Sequence, residues 1–211
     1  MKKGTKIFLG VLIPIAIIGA GLGSYKIYEL IRDANIRNLD APILEFPVAN
    51  IDAIHIIWGY GYHGDFFHGG IDYGCNSSVY ILAPCDLRVF YIETWIYTTD
   101  PVLWQTKVKM EYNARFVIEI SFESWAQNET YANYQRDAIN VTEGQLIQEG
   151  DIIGMLLYHG EGTHIDFSMS DLEEFICPYQ YFSNEAKTIF DALWDKCGFG
   201  DDSWYTTPTI T

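Results

Sequence analysis

The sequence predicts a mainly β domain, an antiparallel sheet, carried behind an N-terminal membrane helix and followed by a C-terminal amphipathic helix. Three observations predict it. Short β-branched and aromatic runs, broken by turn residues, fill the middle of the chain. An uncharged stretch at 7–25 is long enough to span a bilayer. Near the end, Ala186, Ile189, Phe190, Leu193 and Trp194 recur at helical spacing along one face.

Taken in order, Lys2, Lys3 and Lys6 precede the uncharged stretch, so the amino end is expected to stay cytoplasmic and the rest to lie outside the cell membrane. A cleaved signal peptide is the alternative, because small residues at 19–24 could host cleavage and leave a secreted protein. Ile27, Leu30 and Ile31 extend the helix as a stalk, giving an anchor over 1–37. Pro42 and Pro47 mark 38–53 as an extended linker. The β domain is expected over 54–182, with strands at 79–83, 87–94, 107–112 and 115–122 and a hairpin turn at Tyr112, Asn113 and Ala114. Gly144, Gly150 and Gly154 sit among apolar residues, which suggests short strands with tight bends. The segment 183–211 holds the one clear soluble helix, N-capped by Ser183 and ended by Cys197 and Gly198.

Composition narrows the function. Of 211 residues, 49% are hydrophobic, enough for a sizeable core and against wholesale disorder. The formal charge of −15 argues against nucleic-acid binding, since no basic surface exists to displace counterions from phosphates. Cys75, Cys85, Cys177 and Cys197 fall into two sequence-local pairs. Disulfides 75–85 and 177–197 are the simplest pairing; metal ligation is the rival, though no CxxC spacing supports it. Sequons at Asn76, Asn128 and Asn140 agree with a glycosylated, extracellular domain.

Two clusters could carry chemistry. In YHGDFFHGGIDYG, His68 and Asp72 are separated by glycines that let the chain bend and both side chains converge; imidazole and carboxylate are both zinc ligands. In GTHIDFSM, His164 and Asp166 alternate in a strand-like run and so project from one face. Either pattern alone is as readily an ordinary polar surface.

Together, and in order, they resemble the lysostaphin-type zinc metallopeptidases, which cut peptide cross-bridges in bacterial cell walls. The resemblance covers about residues 56–182. IIWGYGYHGDFFHGGIDYG looks like the family's His-x-Gly-x-Asp entry, SSVYILAPCDLRVFYI like its next pair of strands, VTEGQLIQEGDIIG like its Gly-rich block, GTHIDF like its Gly-x-His-x-His-Phe motif and CPYQYF like the segment after it. The resemblance implies the family's fold, the duplicated hybrid motif, with a zinc ion held by His68, Asp72 and Asp166, and His164 as general base. Asp166 stands where the family has a histidine. That removes one positive charge from the loaded site and shifts preference towards harder ions such as manganese or calcium. A second family histidine lies in a Tyr-x-His element; ETYANYQ is the nearest match, with Asn133 in the histidine's place beside Tyr131. Asn can donate to an oxyanion but cannot exchange a proton, and losing such a group costs about 10²–10⁴-fold in rate. His159 is the candidate to compensate. His55 and His63 have no assigned role.

The expected function is therefore a membrane-anchored extracytoplasmic metallopeptidase-like protein, acting on cell-wall or other extracellular peptides with weakened or altered activity. The alternative is a catalytically inactive homologue that serves as a binding or structural module.

Overall fold

A computed structural model of the protein describes residues 35–199. The chain divides into two units, Met1–Asp40 and Ala41–Thr211, and the fold below is that of the second. The expected membrane helix lies outside the described residues; among the described residues no helix is long and apolar enough to cross a membrane.

Thirteen strands are described: β1 (Ile54–Trp58), β2 (Gly61–His63), β3 (Phe66–His68), β4 (Gly70–Cys75), β5 (Val79–Leu82), β6 (Leu87–Thr99), β7 (Val102–Glu111), β8 (Phe116–Ala126), β9 (Leu146–Ile147), β10 (Ile152–Leu156), β11 (His164–Asp171), β12 (Glu174–Ile176) and β13 (Gly198–Phe199). Two α-helices join them, α1 (Glu129–Asp137) and α2 (Asn184–Cys197). The main sheet runs β13-β1-β4-β11-β8-β7-β6-β9, with β12 added to β11. Its pairs are antiparallel except β1–β13. β2 and β3 form a separate hairpin, and β5 pairs with β10.

Alternation gives the main sheet two unlike faces. One buries Ile71, Tyr73, Ile120, Phe122, Ile165 and Phe167 in a single apolar core. The other carries Asp72, Ser121, Glu123, Asp166 and Ser168, and lines a cleft. α2 covers the core as expected: Ser183 Oγ accepts from Ala186 N at 3.0 Å, and Ala186, Phe190, Leu193 and Trp194 are buried. Burying a side chain such as Phe190 contributes about 1.5–3 kcal/mol, more than the helix's own propensity could. Gly198 caps its end by donating its N–H to Trp194 O, and a Cβ there would lie 2.6 Å from that carbonyl oxygen.

The expected strands all form, and three run further than the sequence suggested, through Thr99, from Val102 and to Ala126. At the hairpin between β7 and β8, Asn113 Oδ1 accepts from the backbone N–H of Arg115 and Phe116. Gly144 and Gly150 take left-handed φ of 84° and 82° at their bends. The stretch read as a linker is integral at its centre: Leu44, Phe46 and Val48 are buried, and Leu44 N–H donates to Tyr181 O at 2.8 Å.

Two expectations are corrected. The tail does not hold the only helix, because ETYANYQ folds as α1. Asn128 caps it, accepting from Tyr131 N at 3.1 Å, and Gln135 stitches it to the sheet by donating to Met155 O and accepting from Leu157 N. The four cysteines are free thiols, so neither sequence-local disulfide is present. Cys75, Cys85 and Cys177 are buried apolar residues of the core, and Cys197 Sγ–H donates to Leu193 O within its own helix.

Candidate functional site

The centre of the cleft is a grid set by strand register. On β4, Gly70, Asp72 and Gly74 face outward; on β11, Ser168, Asp166 and His164 lie directly opposite them. β8 adds the next row, with Glu119, Ser121 and Glu123 opposite the same three β11 residues. Asp166 therefore sits between Asp72 and Ser121, and His164 between Gly74 and Glu123. Lys107 on β7 pairs with Glu119, closing the charged row. The cleft has a volume of about 870 Å³, and Trp58, Phe66, Trp95, Tyr97 and Trp125 are among its walls.

His68 ends β3 and reaches the grid from outside it. Its ring stacks on Trp58, with centroids 5.4 Å apart, and its Nδ1–H donates to Gly59 O at 2.9 Å. That bond turns Nε2 toward Asp72 Oδ1, 3.2 Å away. A histidine whose second nitrogen is tied to a backbone carbonyl has the orientation of a metal ligand. The same carbonyl accepts from His63 Nε2–H at 2.8 Å, and Trp58 Nε1–H donates to His63 Nδ1, so the stacked indole is itself held. His68, Asp72 and Asp166 each offer a ligand atom within 4.8 Å of the others. Ser168 Oγ–H donates to Asp166 Oδ1 at 3.0 Å and fixes that carboxylate. Gly70 makes the space: a Cβ there would lie 1.9 Å from Asp166 Oδ1. One imidazole and two carboxylates, aimed at one point beneath a cradle that only glycine leaves open, fit a divalent cation.

His164 stands beside this triad. Its Nδ1–H donates to Gly162 O at 2.7 Å, and Nε2 lies 3.1 Å from Glu123 Oε2 and 3.8 Å from Asp72 Oδ2. Burial works against charge on both histidines, but their carboxylate partners outweigh it. His68 is raised to about 9 by the hydrogen bond and charge of Asp72, and His164 to about 9 by Glu123 and Asp72. Burial, then the charge of Asp72, raises Asp166 above the usual carboxylate range.

The structure brings together His68, Asp72, Asp166 and His164, and leaves Asn133 and His159 elsewhere. Asn133 lies on the exposed side of α1, and His159 is exposed with its ring against Tyr131, centroids 4.9 Å apart. Neither lines the cleft. The carboxylate that faces His164 is Glu123, which the sequence reading passed over. Its signal was present: in FVIEISFESW the polar residues Glu119, Ser121 and Glu123 alternate with buried apolar ones, marking a strand with a functional polar face. His55, left without a role, also lines the cleft.

No family model and no curated protein matches the chain. Among solved structures, Csd3 from Helicobacter pylori is 19% identical with a TM-score of 0.48, covering 74% of this chain and 40% of its own. A zinc-containing peptidase from Vibrio cholerae is 16% identical with a TM-score of 0.47, covering 65% and 39%. Lysostaphin is 18% identical with a TM-score of 0.38, covering 72% and 55%. The chain thus spans about two fifths of the length of the first two. In structure the chain is similar in part to each of these three, a zinc-containing peptidase and lysostaphin among them.

Proposed function

We propose that this chain is a metal-dependent hydrolase of peptide bonds, held at the cell membrane by residues 7–25 with its β domain outside the cytoplasm, where cell-wall or other extracellular peptides are its substrates. The observation that carries the reading is the convergence of His68, Asp72 and Asp166 on one point in the cleft, with the His164–Glu123 pair alongside. His68, Asp72 and Asp166 would hold the cation, zinc by the family resemblance and a harder ion by the excess of oxygen ligands. When bound, such a cation polarises a carbonyl and lowers the pKa of water.

The chain's own residues supply the rest. Glu123 accepts the proton lost by a water that attacks the peptide carbonyl. His164, anchored through Nδ1–H on Gly162 O, gives its Nε2 proton to the leaving amine as the C–N bond breaks. Glu123 then returns a proton to His164 across their 3.1 Å contact. This replaces the role of His164 as sole base and gives Asn133 and His159 none.

The test is the metal content of the purified full chain and of Asp166→Ala. Close to one divalent ion per wild-type chain, lost in the variant, supports the reading. Wild-type protein that takes up no metal from excess zinc or manganese overturns it. The aromatic walls favour a second reading, a binding module that holds a ligand without cutting it. A metal-loaded chain that retains peptides but leaves them uncut would select it.

A further inference from the structure

Trp125 has a backbone that a tryptophan rarely adopts. Its φ is 54°, in the left-handed region where a bulky side chain is an outlier. The cause is a break in the pairing of β7 with β8. From Trp104↔Ala126 to Thr106↔Phe122, β7 advances two residues while β8 advances four. Glu123, Ser124 and Trp125 thus stand against Gln105 alone, a surplus of two residues that makes a bulge, a device that re-aims side chains beside active sites.

The bulge directs the Trp125 indole onto His164. The two rings meet edge to face, with centroids 5.4 Å apart and planes at 62°. Tyr97 backs the indole, with centroids 5.6 Å apart. Gly162 lies flush against its other edge: a Cβ there would be 3.0 Å from Cδ1 and 3.0 Å from Nε1 of the indole. Gly162, at φ 88°, also presents the carbonyl that takes the His164 Nδ1–H. The imidazole is therefore fixed by the Gly162 carbonyl, by the Glu123 carboxylate and by the indole face. Trp125 lines the cleft and is partly exposed, outside the buried apolar core. Its contacts are those of a part that serves the site, because the core closes without it.

We propose that Trp125 is a positioning residue: its strained backbone places the indole against His164, which keeps Nε2 directed at Glu123 and the cleft. The positioning stands on this geometry alone; its consequence for rate rests on the hydrolytic reading above. Strain is tolerated where the surrounding structure over-determines it, and it collects at sites that need a fixed geometry. Regular β8–β11 register sets Glu123 opposite His164, and the break in β7–β8 pairing that follows aims Trp125 at the same ring.

The test uses the full chain, metal-loaded, as wild type, Trp125→Ala, Trp125→Phe and Gly162→Ala, with His164→Gln to assign the His164 ring signals by NMR. In Trp125→Ala the His164 ring protons lose the shift imposed by the indole, and the Nδ1 proton exchanges faster. Trp125→Phe retains most of both. Metal content remains that of the wild type in every Trp125 variant. On a peptide that the wild type cleaves, kcat falls about 10²-fold in Trp125→Ala, the scale of a misplaced catalytic group, with partial recovery in Trp125→Phe and KM changing much less. Gly162→Ala displaces the indole from the other side and moves the same His164 signals, which keeps the test open where Trp125→Ala fails to fold. Unchanged His164 signals in Trp125→Ala and Gly162→Ala, or an unchanged kcat in Trp125→Ala, overturn the proposal. Altered His164 signals in a protein whose wild type cleaves nothing support the positioning and overturn the hydrolytic reading instead.

Discussion

His68 faces carbonyl and carboxylate oxygens with both ring nitrogens, so without metal it carries both protons, and its pKa is raised to about 9. A cation needs the Nε2 lone pair, so binding must displace one proton from His68, and a second from Asp166 below about 7. Affinity for zinc is therefore expected to rise with pH by about tenfold per unit between about 7 and 9, more steeply below, and to flatten near 9, read by competition with a chelator. A flat profile through that range would remove His68 from the ligand set. The metal-free protein responds in the opposite sense. Because His68 and His164 are raised above the ordinary histidine value of 6.5, their stabilisation is complete below that pH and lost as pH rises through about 9. The raised carboxyl of Asp166 acts in the same direction. Thermal denaturation of the metal-free chain should show a falling Tm across that window, and zinc should abolish the fall.

At the level of elements, the site depends on how closely β4 and β11 approach. Asp166 Oδ1 occupies the space that a side chain at position 70 would fill, and the Phe167 carbonyl oxygen is 3.0 Å from the same point. The backbone cannot retreat without breaking the ladder, so Gly70→Ala must turn the Asp166 carboxylate away. The expected result is a folded chain, less stable by about 1–3 kcal/mol, that no longer holds metal. Circular dichroism checks the fold and elemental analysis the site; metal retained at wild-type level would show that Asp166 is not a ligand. The Gly in His-x-Gly-x-Asp could be read from sequence as a bend. Its reason, an opposing carboxylate on a strand almost a hundred residues later, could not, because register belongs to the sheet and not to either strand.

Across the whole molecule, the apolar core takes the cysteines that a reading of spacing assigned to disulfides. Burial pushes Cys75 and Cys85 up to about 12 and Cys177 to about 11, and raises Cys197. Thiols so held are almost entirely protonated at neutral pH and poor nucleophiles. Native protein should react slowly with iodoacetamide at these positions and rapidly once unfolded, and a reductant should leave Tm unchanged. A reductant that lowers Tm would show that the chain closes disulfides after all. Spacing failed here because closeness in sequence does not bring two thiols together: Cys75 ends β4 while Cys85 lies just before β6, and Cys177 follows β12 while Cys197 lies in the last turn of α2.

The sequence by itself determined the class of fold, several of the strands along the chain and the capped C-terminal helix, and marked His68, Asp72, His164 and Asp166 as candidates, because alternation, caps and motif spacing are local properties of the chain. The tertiary structure alone decided which residue faces His164. ETYANYQ offered a tyrosine and an asparagine in the expected order, but Asn128 caps it into a helix, and its Asn133 is exposed and does not line the cleft. Glu123 and Trp125 reach His164 instead, through antiparallel register and a bulge between β7 and β8. Both arise from pairing between distant strands, and no window of sequence contains the partner that sets them.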